Sequence, residues 1–359
     1  MIRILHIIGS MSCGGAETMI MRLYRHIDRT RIQFDFFIPD VGEVYYGEEI
    51  KKLGGKVYIS AKRSENLQRY CKDLCCLLKS KKYQIIHIHT SHVSSSLIPA
   101  MIAFSAGVKI RIAHSHNTYC APEWQQKLLR PLTNVFFTKR LSCGQKAGDW
   151  MYGKKSFDVF PLPVECEKFK FTRIEREKQR KLLKVENEVV YGHVGRFAYE
   201  KNHEFLIHVF FEILKYENAK LLLIGSGNKE TEIKELVRCL KIEDKVIFLG
   251  IVNDVHKKLC AIDKFLLPSL YEGFPTVILE AQANGLPCYL SDTITKDIAL
   301  TNLVKFIPLA ESAENWAKHI IKGSKRANCE EYNELIAQKY DVKILSKRLQ
   351  SIYEKELKK

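Results

Sequence analysis

Two glutamates bracket a Gly-Phe-Pro-Thr turn in the stretch SLYEGFPTVILEAQANGLP, residues 269–287. Before them runs KFLLPS, an apolar strand; after them VILEAQANG reads as a helix stopped by Gly285 and Pro287. Pro275 suits the first turn of that helix, where its missing N–H costs nothing. A helix start placed after a strand offers free backbone N–H groups and the positive end of a dipole, which together make an anion site. Phe274, Thr276 and Val277 can supply such amides. Glu280 lies one turn beyond Thr276 on the same face, where its carboxylate can take paired sugar hydroxyls. Glu272 lies at the strand's end, on the other side of a ligand whose phosphate sits on the helix start. A surface turn carrying two solvated acids is the plain alternative.

Further groups sit at comparable junctions. In GHVGRFAYEKNHEFL (192–206) a strand ends at Gly195, and Arg196 and Lys201 flank the loop into a helix that begins near Asn202. A rigid guanidinium fork and a mobile ammonium both suit a diphosphate, although alone they are ordinary surface cations. LLLIGSGNKETE carries Gly225 and Gly227 as half of a dinucleotide fingerprint; the third glycine is missing, yet the loop can still approach a nucleotide closely. In IIGSMSCGGAET (7–18), Gly14 and Gly15 open the first helix and let backbone pass near a ligand. The histidines of IHIHTSH (86–92) and AHSH (113–116) raise the question of zinc. The aspartate of an HxHxDH site is replaced by Ser91, and the chain holds no DxD that could carry a divalent ion on a diphosphate. The expectation is therefore no metal, with His116 as a polar contact to substrate.

These groups need elements to hold them. RILHIIG (3–9), QFDFFIP (33–39), KVYIS (56–60), YQIIHIH (83–89) and KIRIAHSH (109–116) read as strands; AETMIMRLYRHI and LQRYCKDLCCLLKSKK read as helices between them. The pattern restarts with EVVYGHVGRF (188–197), HEFLIHVFFEILK, KLLLIGSG, KETEIKELVRCL, KVIFLG and KFLLPS. Short β-rich runs separated by helices imply parallel sheets covered on both faces. The fold class is α/β: two doubly wound, Rossmann-like domains in tandem. FPLPVECEKFKF, with its two prolines, marks the junction. We assign 1–165 to an N-terminal domain, 166–340 to a C-terminal domain, and 341–359 to a helix that can pack back on the first. Ligands of such folds bind beyond the carboxyl ends of the strands, where all the groups above lie.

Bulk properties narrow the class. At 359 residues, 46% hydrophobic and 27% charged, this is a two-domain globular chain. The longest apolar candidate, VSSSLIPAMIAFSAGV (93–108), carries four serines and a proline and reads as a core helix. The apolar run of MIRILHIIGS is too short for a signal peptide. Eleven dispersed cysteines with no CxxC spacing imply reduced thiols and a cytoplasmic setting. The formal charge is +16, and residues 1–165 hold 24 Lys+Arg against 13 Asp+Glu. That excess fits an anionic partner or plainly solvated lysines. Without aromatic interleaving or a known motif, nucleic acid is not the expected partner.

The chain resembles glycosyltransferase family 4, the retaining nucleotide-sugar enzymes of the GT-B fold. The likeness covers nearly the whole length and is strongest over 188–292: VGRFAYEKN, LLIGSG, KVIFLG and LPSLYEGFPTVILEAQANGLPCYLSD. Glu272 and Glu280 match the family's EX7E motif, while GGAE (14–17) and RIAHSHNT (111–118) look like capsule and exopolysaccharide members. The resemblance implies two domains facing a cleft, 1–165 binding the acceptor and 166–340 the nucleotide sugar, with Arg196 and Lys201 neutralising the donor diphosphate in place of a metal. Glu280 would hold the ribose; Glu272, with the amides of Gly273 and Phe274, the transferred sugar. Gly15 would line the cleft near phosphate and acceptor, and His116, matched on local spacing, would meet the donor sugar. It further implies front-face attack, in which the leaving phosphate helps deprotonate the acceptor and no protein nucleophile is needed. The expected donor is UDP-linked. The expected acceptor is a saccharide, polyprenyl-diphosphate-linked at the anionic inner membrane face, and no cofactor is expected. Gln282 for a usual Met and Cys288 for a usual Val are departures in packing only. A nucleotide-sugar epimerase of the same fold, or a degenerate binder, is the nearest rival.

Overall fold

The computed structural model describes residues 1–11, 14–39, 44–90, 92–116, 123–327 and 329–359, with the side chain of 134 left aside. Ser91, Asn117 and Thr118 of the motifs above lie outside them. By its internal contacts the chain divides into two units, Met1–Pro163 with Val342–Lys359, and Val164–Asp341.

The first unit holds a seven-stranded sheet, β1 (Ile2–Ile7), β2 (Ile32–Ile38), β3 (Val57–Ile59), β4 (Ile85–Thr90), β5 (Ile110–Ser115), β6 (Lys139–Ser142) and β7 (Asp158–Val159). Its order is β3-β2-β1-β4-β5-β6-β7, all parallel. β2, β4 and β5 are buried at every position, as strands covered on both faces must be. Leu5, Ile7, Ile86 and Ile88 point into one apolar cluster with helix residues Leu74, Leu97 and Ala100. The intervening positions His6, His87 and His89 therefore point to the opposite face. There the C-terminal helix Val342–Leu357 packs against the helix Gly15–His26. Tyr353 Oη from that helix lies 2.7 Å from His87 Nδ1. The stretch 93–105 is a helix with Pro99 inside it, and no helix among the described residues is long and apolar enough to cross a membrane.

The second unit holds β8 (Val189–Val194), β9 (Ala219–Ile224), β10 (Val246–Gly250), β11 (Lys264–Leu267), β12 (Cys288–Ser291) and β13 (Val304–Ile307). Their order is β10-β9-β8-β11-β12-β13, again parallel. Alternation along β8, β9 and β11 feeds two cores. Val190, Leu222, Phe265 and Leu267 enter one; Tyr191, Leu221, Leu223 and Leu266 enter the other. Both sheets reverse strand order beside their first strand, between β1 and β4 and between β8 and β11. Such a switch point opens a crevice beyond the strand ends.

Candidate functional site

In the second unit the crevice at the β8–β11 reversal is built by three loops. The loop after β8 closes in a single 3-10 turn, Tyr199–Lys201, and Asn202 then takes a left-handed conformation, φ 55°, before the helix His203–Ile213. Asparagine tolerates that region better than most side chains. The Asn202 amide donates to Pro268 O at 3.1 Å, and Leu270 N donates to Glu200 O at 2.8 Å. The loop after β8 is thereby tied to the loop after β11.

That tie brings two predicted residues together. Lys201 Nζ lies 2.6 Å from Glu272 Oε1, and the Ser269 hydroxyl donates to the same oxygen at 2.7 Å. The two side chains are only 17% and 10% exposed. Arg196 is placed differently: its side chain is 75% exposed, and its ion pair to Glu200 is long at 3.8 Å. A loose pair of this kind contributes little, so the guanidinium is available to an anion.

The helix Thr276–Ala283 starts beside this pair. Pro275 is its N-cap rather than a first-turn residue, with an extended ψ of 92°. The N–H groups of Thr276 and Val277 have no acceptor within the helix, whereas Ile278 N already bonds Pro275 O at 3.0 Å. Glu280 is 5% exposed among the buried residues Ile278–Ala283. Phe274 packs on the core that holds Val190 and Phe265 and stacks on Tyr340, their rings 6.1 Å apart, which anchors the half-buried Gly273 bend before it. Gln282 and Cys288 are fully buried, and the Gln282 carboxamide oxygen accepts from Leu300 N and Thr301 N at 3.1 Å.

Gly225 and Gly227 have a reason the sequence did not show. A Cβ on Gly225 would fall 2.1 Å from Gly195 O, and one on Gly227 would fall 2.4 Å from Phe197 O. Gly225 also holds φ at +137°. Both glycines let the β9 loop lie against the β8 loop, which Phe197 N and Ser226 O close at 3.0 Å. Their demand comes from the protein's own backbone. Gly225→Ala should cost about 2 kcal/mol or more in urea unfolding; an unchanged midpoint would refute that origin.

In the first unit, Gly15 begins the helix Gly15–His26, and a Cβ there would meet no described atom within 4 Å. At Gly14 a Cβ would strike the Glu17 carboxylate, which accepts from the Ser10 hydroxyl at 2.8 Å. At the β1–β4 reversal the structure assembles five imidazoles: His6 from β1, His87 and His89 from β4, and His114 and His116 from the end of β5. The sequence reading passed over His6, because a lone histidine in an apolar strand has no spacing signal. Burial holds His6 near 3 and His116 near 4, and pushes His87, His89 and His114 well below the ordinary imidazole range. His6, His87 and His89, and likewise His89, His114 and His116, bring ligand nitrogens within 4.8 Å of one another. Two pairs lie face to face, His87 on His89 at 4.3 Å and His114 on His116 at 4.4 Å.

Comparison with known proteins covers both units. Residues 174–342 match the family described as glycosyl transferases group 1, and residues 13–143 match glycosyltransferase family 4. A putative glycosyltransferase of Bacillus subtilis (strain 168), EpsF, is 33% identical over 90% of this chain and 88% of its own. The capsular polysaccharide biosynthesis glycosyltransferase CapH of Staphylococcus aureus is 26% identical over 98% of this chain and 99% of its own. The UDP-Gal:alpha-D-GlcNAc-diphosphoundecaprenol alpha-1,3-galactosyltransferase of Escherichia coli is 30% identical over 60% of this chain and 59% of its own. Among solved structures, Anabaena Alr3699/HepE in complex with UDP-glucose superposes with a TM-score of 0.82 at 18% identity, covering 99% of this chain and all of that one.

Proposed function

From the premise that the chain belongs to the glycosyltransferases of group 1 and family 4, its two sheets those of the GT-B fold, we propose a retaining, metal-independent hexosyltransferase of surface-polysaccharide assembly. Its donor is a UDP-sugar and its acceptor a polyprenyl-diphosphate-linked saccharide. The observation that carries this reading is the Lys201–Glu272 pair seated at the start of the Thr276–Ala283 helix. A diphosphate fits there because the orphan amides of Thr276 and Val277, the helix dipole, the exposed Arg196 and the Lys201 ammonium all favour negative charge. These groups stabilise the charge that develops on the leaving phosphate, which is the work a divalent ion performs in other transferases.

The remaining assignments follow the family resemblance. Glu280 accepts from the ribose hydroxyls; Glu272, with the amides of Gly273 and Phe274, holds the transferred sugar. His116 contacts that sugar, and Gly15 lets phosphate and acceptor approach backbone. Gly225 and Gly227 hold the neighbouring loop in place. The leaving phosphate takes the acceptor proton, and no side chain forms a covalent intermediate. HepE crystallised with UDP-glucose supports the donor class, and the E. coli relative's name supports a lipid-linked acceptor. The basic residues of 1–165 fit peripheral docking on an anionic inner membrane face from the cytoplasm.

A thermal-shift series tests the donor site. UDP at about 100 times its Kd should stabilise the protein by about 2.7 kcal/mol, with or without EDTA. Glu280→Gln should fold normally and need about tenfold more UDP for the same shift, through loss of a charge-assisted hydrogen bond. Stabilisation by divalent metal or polynucleotide alone would overturn the reading. Conversion of the UDP-sugar without acceptor would make the protein an epimerase, and an inverted anomeric centre in the product would overturn retention.

A further inference from the structure

Three imidazoles of the first unit run end to end. His116 Nε2 lies 3.0 Å from His89 Nδ1, and His89 Nε2 lies 3.0 Å from His6 Nδ1. Ring centroids in both pairs are 5.3 Å apart, with planes inclined by 25° and 16°. That spacing is edge to edge, and each contact is an N–H···N hydrogen bond. His114 and His87 stack on the outer and middle rings and hold their planes.

A neutral imidazole has one N–H and one bare nitrogen. A chain joined in this way therefore has two coherent orders: every proton on Nδ1, or every proton on Nε2. The inner end decides between them. His6 Nε2 is buried with no hydrogen-bond partner among the described residues. A proton there would be an orphaned buried N–H, which is rarer and costlier than a bare acceptor nitrogen. His193 in the second unit shows the same pattern without ambiguity. Its Nδ1 is 2.9 Å from Leu266 O, which can only accept, and its Nε2 is buried without a partner.

We propose that His89, its order set by the buried inner end of the chain at His6, is a positioning residue that fixes His116 as its Nδ1–H tautomer, so that His116 presents a hydrogen-bond donor to a hydroxyl oxygen of the transferred sugar. This rests on the assignment of His116 to that sugar. It makes His116 a donor that selects for an oxygen acceptor on the ligand, and it removes His116 as a base for the acceptor proton. Burial, which holds His116 near 4, keeps the donor uncharged at neutral pH.

The test is a long-range proton–nitrogen correlation spectrum of the full chain labelled with 15N-histidine, at pH 7.5. The expected result is Nδ1–H, with bare Nε2, for His6, His89 and His116. His6→Leu should leave His116 unchanged, because leucine offers no acceptor that could reverse the order. His89→Asp puts an oxygen that only accepts where Nδ1–H donates; His116 should then carry Nε2–H, and KM for the donor should rise about tenfold while kcat changes less. A proton on Nε2 of wild-type His116 would overturn the proposal. So would a stoichiometric d-block metal on these nitrogens, or His89→Asp with His116 and KM both unaltered. If His89→Asp fails to fold, the wild-type spectrum alone still decides the tautomer. Should the tautomers be as stated while His116→Ala leaves donor KM unchanged, the sugar assignment fails and the ordered chain stands.

Discussion

Lys201→Met should lower kcat/KM for the UDP-sugar by about 10²- to 10³-fold, the range seen when one preorganised electrostatic donor is removed from a transition state. Two effects combine at this position. The diphosphate loses an ammonium that has three N–H donors, only one of which is committed to Glu272 at 2.6 Å. Glu272 keeps its charge with only the Ser269 hydroxyl still bonded to that oxygen, so a carboxylate now faces an incoming anion. The pair is mostly but not wholly buried, and the unpaired carboxylate should cost about 1–2 kcal/mol of stability, less than the full penalty of a dry site. The double variant Lys201→Met/Glu272→Gln separates the two. It should recover the stability, since no unpaired charge remains, and it should not recover the activity. Steady-state kinetics beside urea unfolding check this. A single variant keeping more than half its kcat/KM would remove Lys201 from the diphosphate.

Stability should fall steeply in mild acid. Six buried histidines and the partly buried His116 have lowered pKa values: the five clustered rings of the first unit, together with His193 and His203 of the second. The unfolded chain protonates its histidines near 6.5. Between that value and the folded values, about 3 for His6 and about 4 for His116 and His203, the unfolded state binds more protons. Stability therefore rises with pH and is lost as pH drops below 6.5. At pH 5 each histidine held neutral costs about 2 kcal/mol relative to pH 7. Three such residues amount to about 6 kcal/mol, comparable to the whole stability of an ordinary domain. The melting temperature should be level above pH 7 and fall sharply by pH 5, with the first unit, which holds five of the seven, unfolding first. A melting temperature independent of pH from 7 to 5 would show that these rings accept protons without unfolding. Because no carboxylate partner is needed to explain the slope, it should persist in high salt.

Much of this protein was legible in its sequence because local chemistry carries it. Short β-rich apolar runs located β1–β5 and β8–β11 to within a few residues, and the helix between Pro275 and Gly285 announced itself by its start and stop residues. β6, β7, β12 and β13, two to four residues each, went unnamed. The spacing of Glu272 and Glu280, and the phosphate-seeking character of a helix start, are properties of neighbouring residues and needed no fold.

What brings distant residues together is the order of the strands, which no local pattern specifies. Lys201 reaches Glu272 across 71 positions because β8 and β11 are sheet neighbours at the reversal. His6 reaches His89 across 83 positions because β1 and β4 are neighbours at the equivalent place. Likewise, the demand for glycine at 225 became visible only when Gly195 O appeared 2.1 Å from where its Cβ would be. Residue type and spacing determined which chemistry this chain can do. Strand order and the close approach of loops decided which groups meet to do it, because a hydrogen bond or an ion pair depends on separations of about 3 Å that sequence distance does not encode.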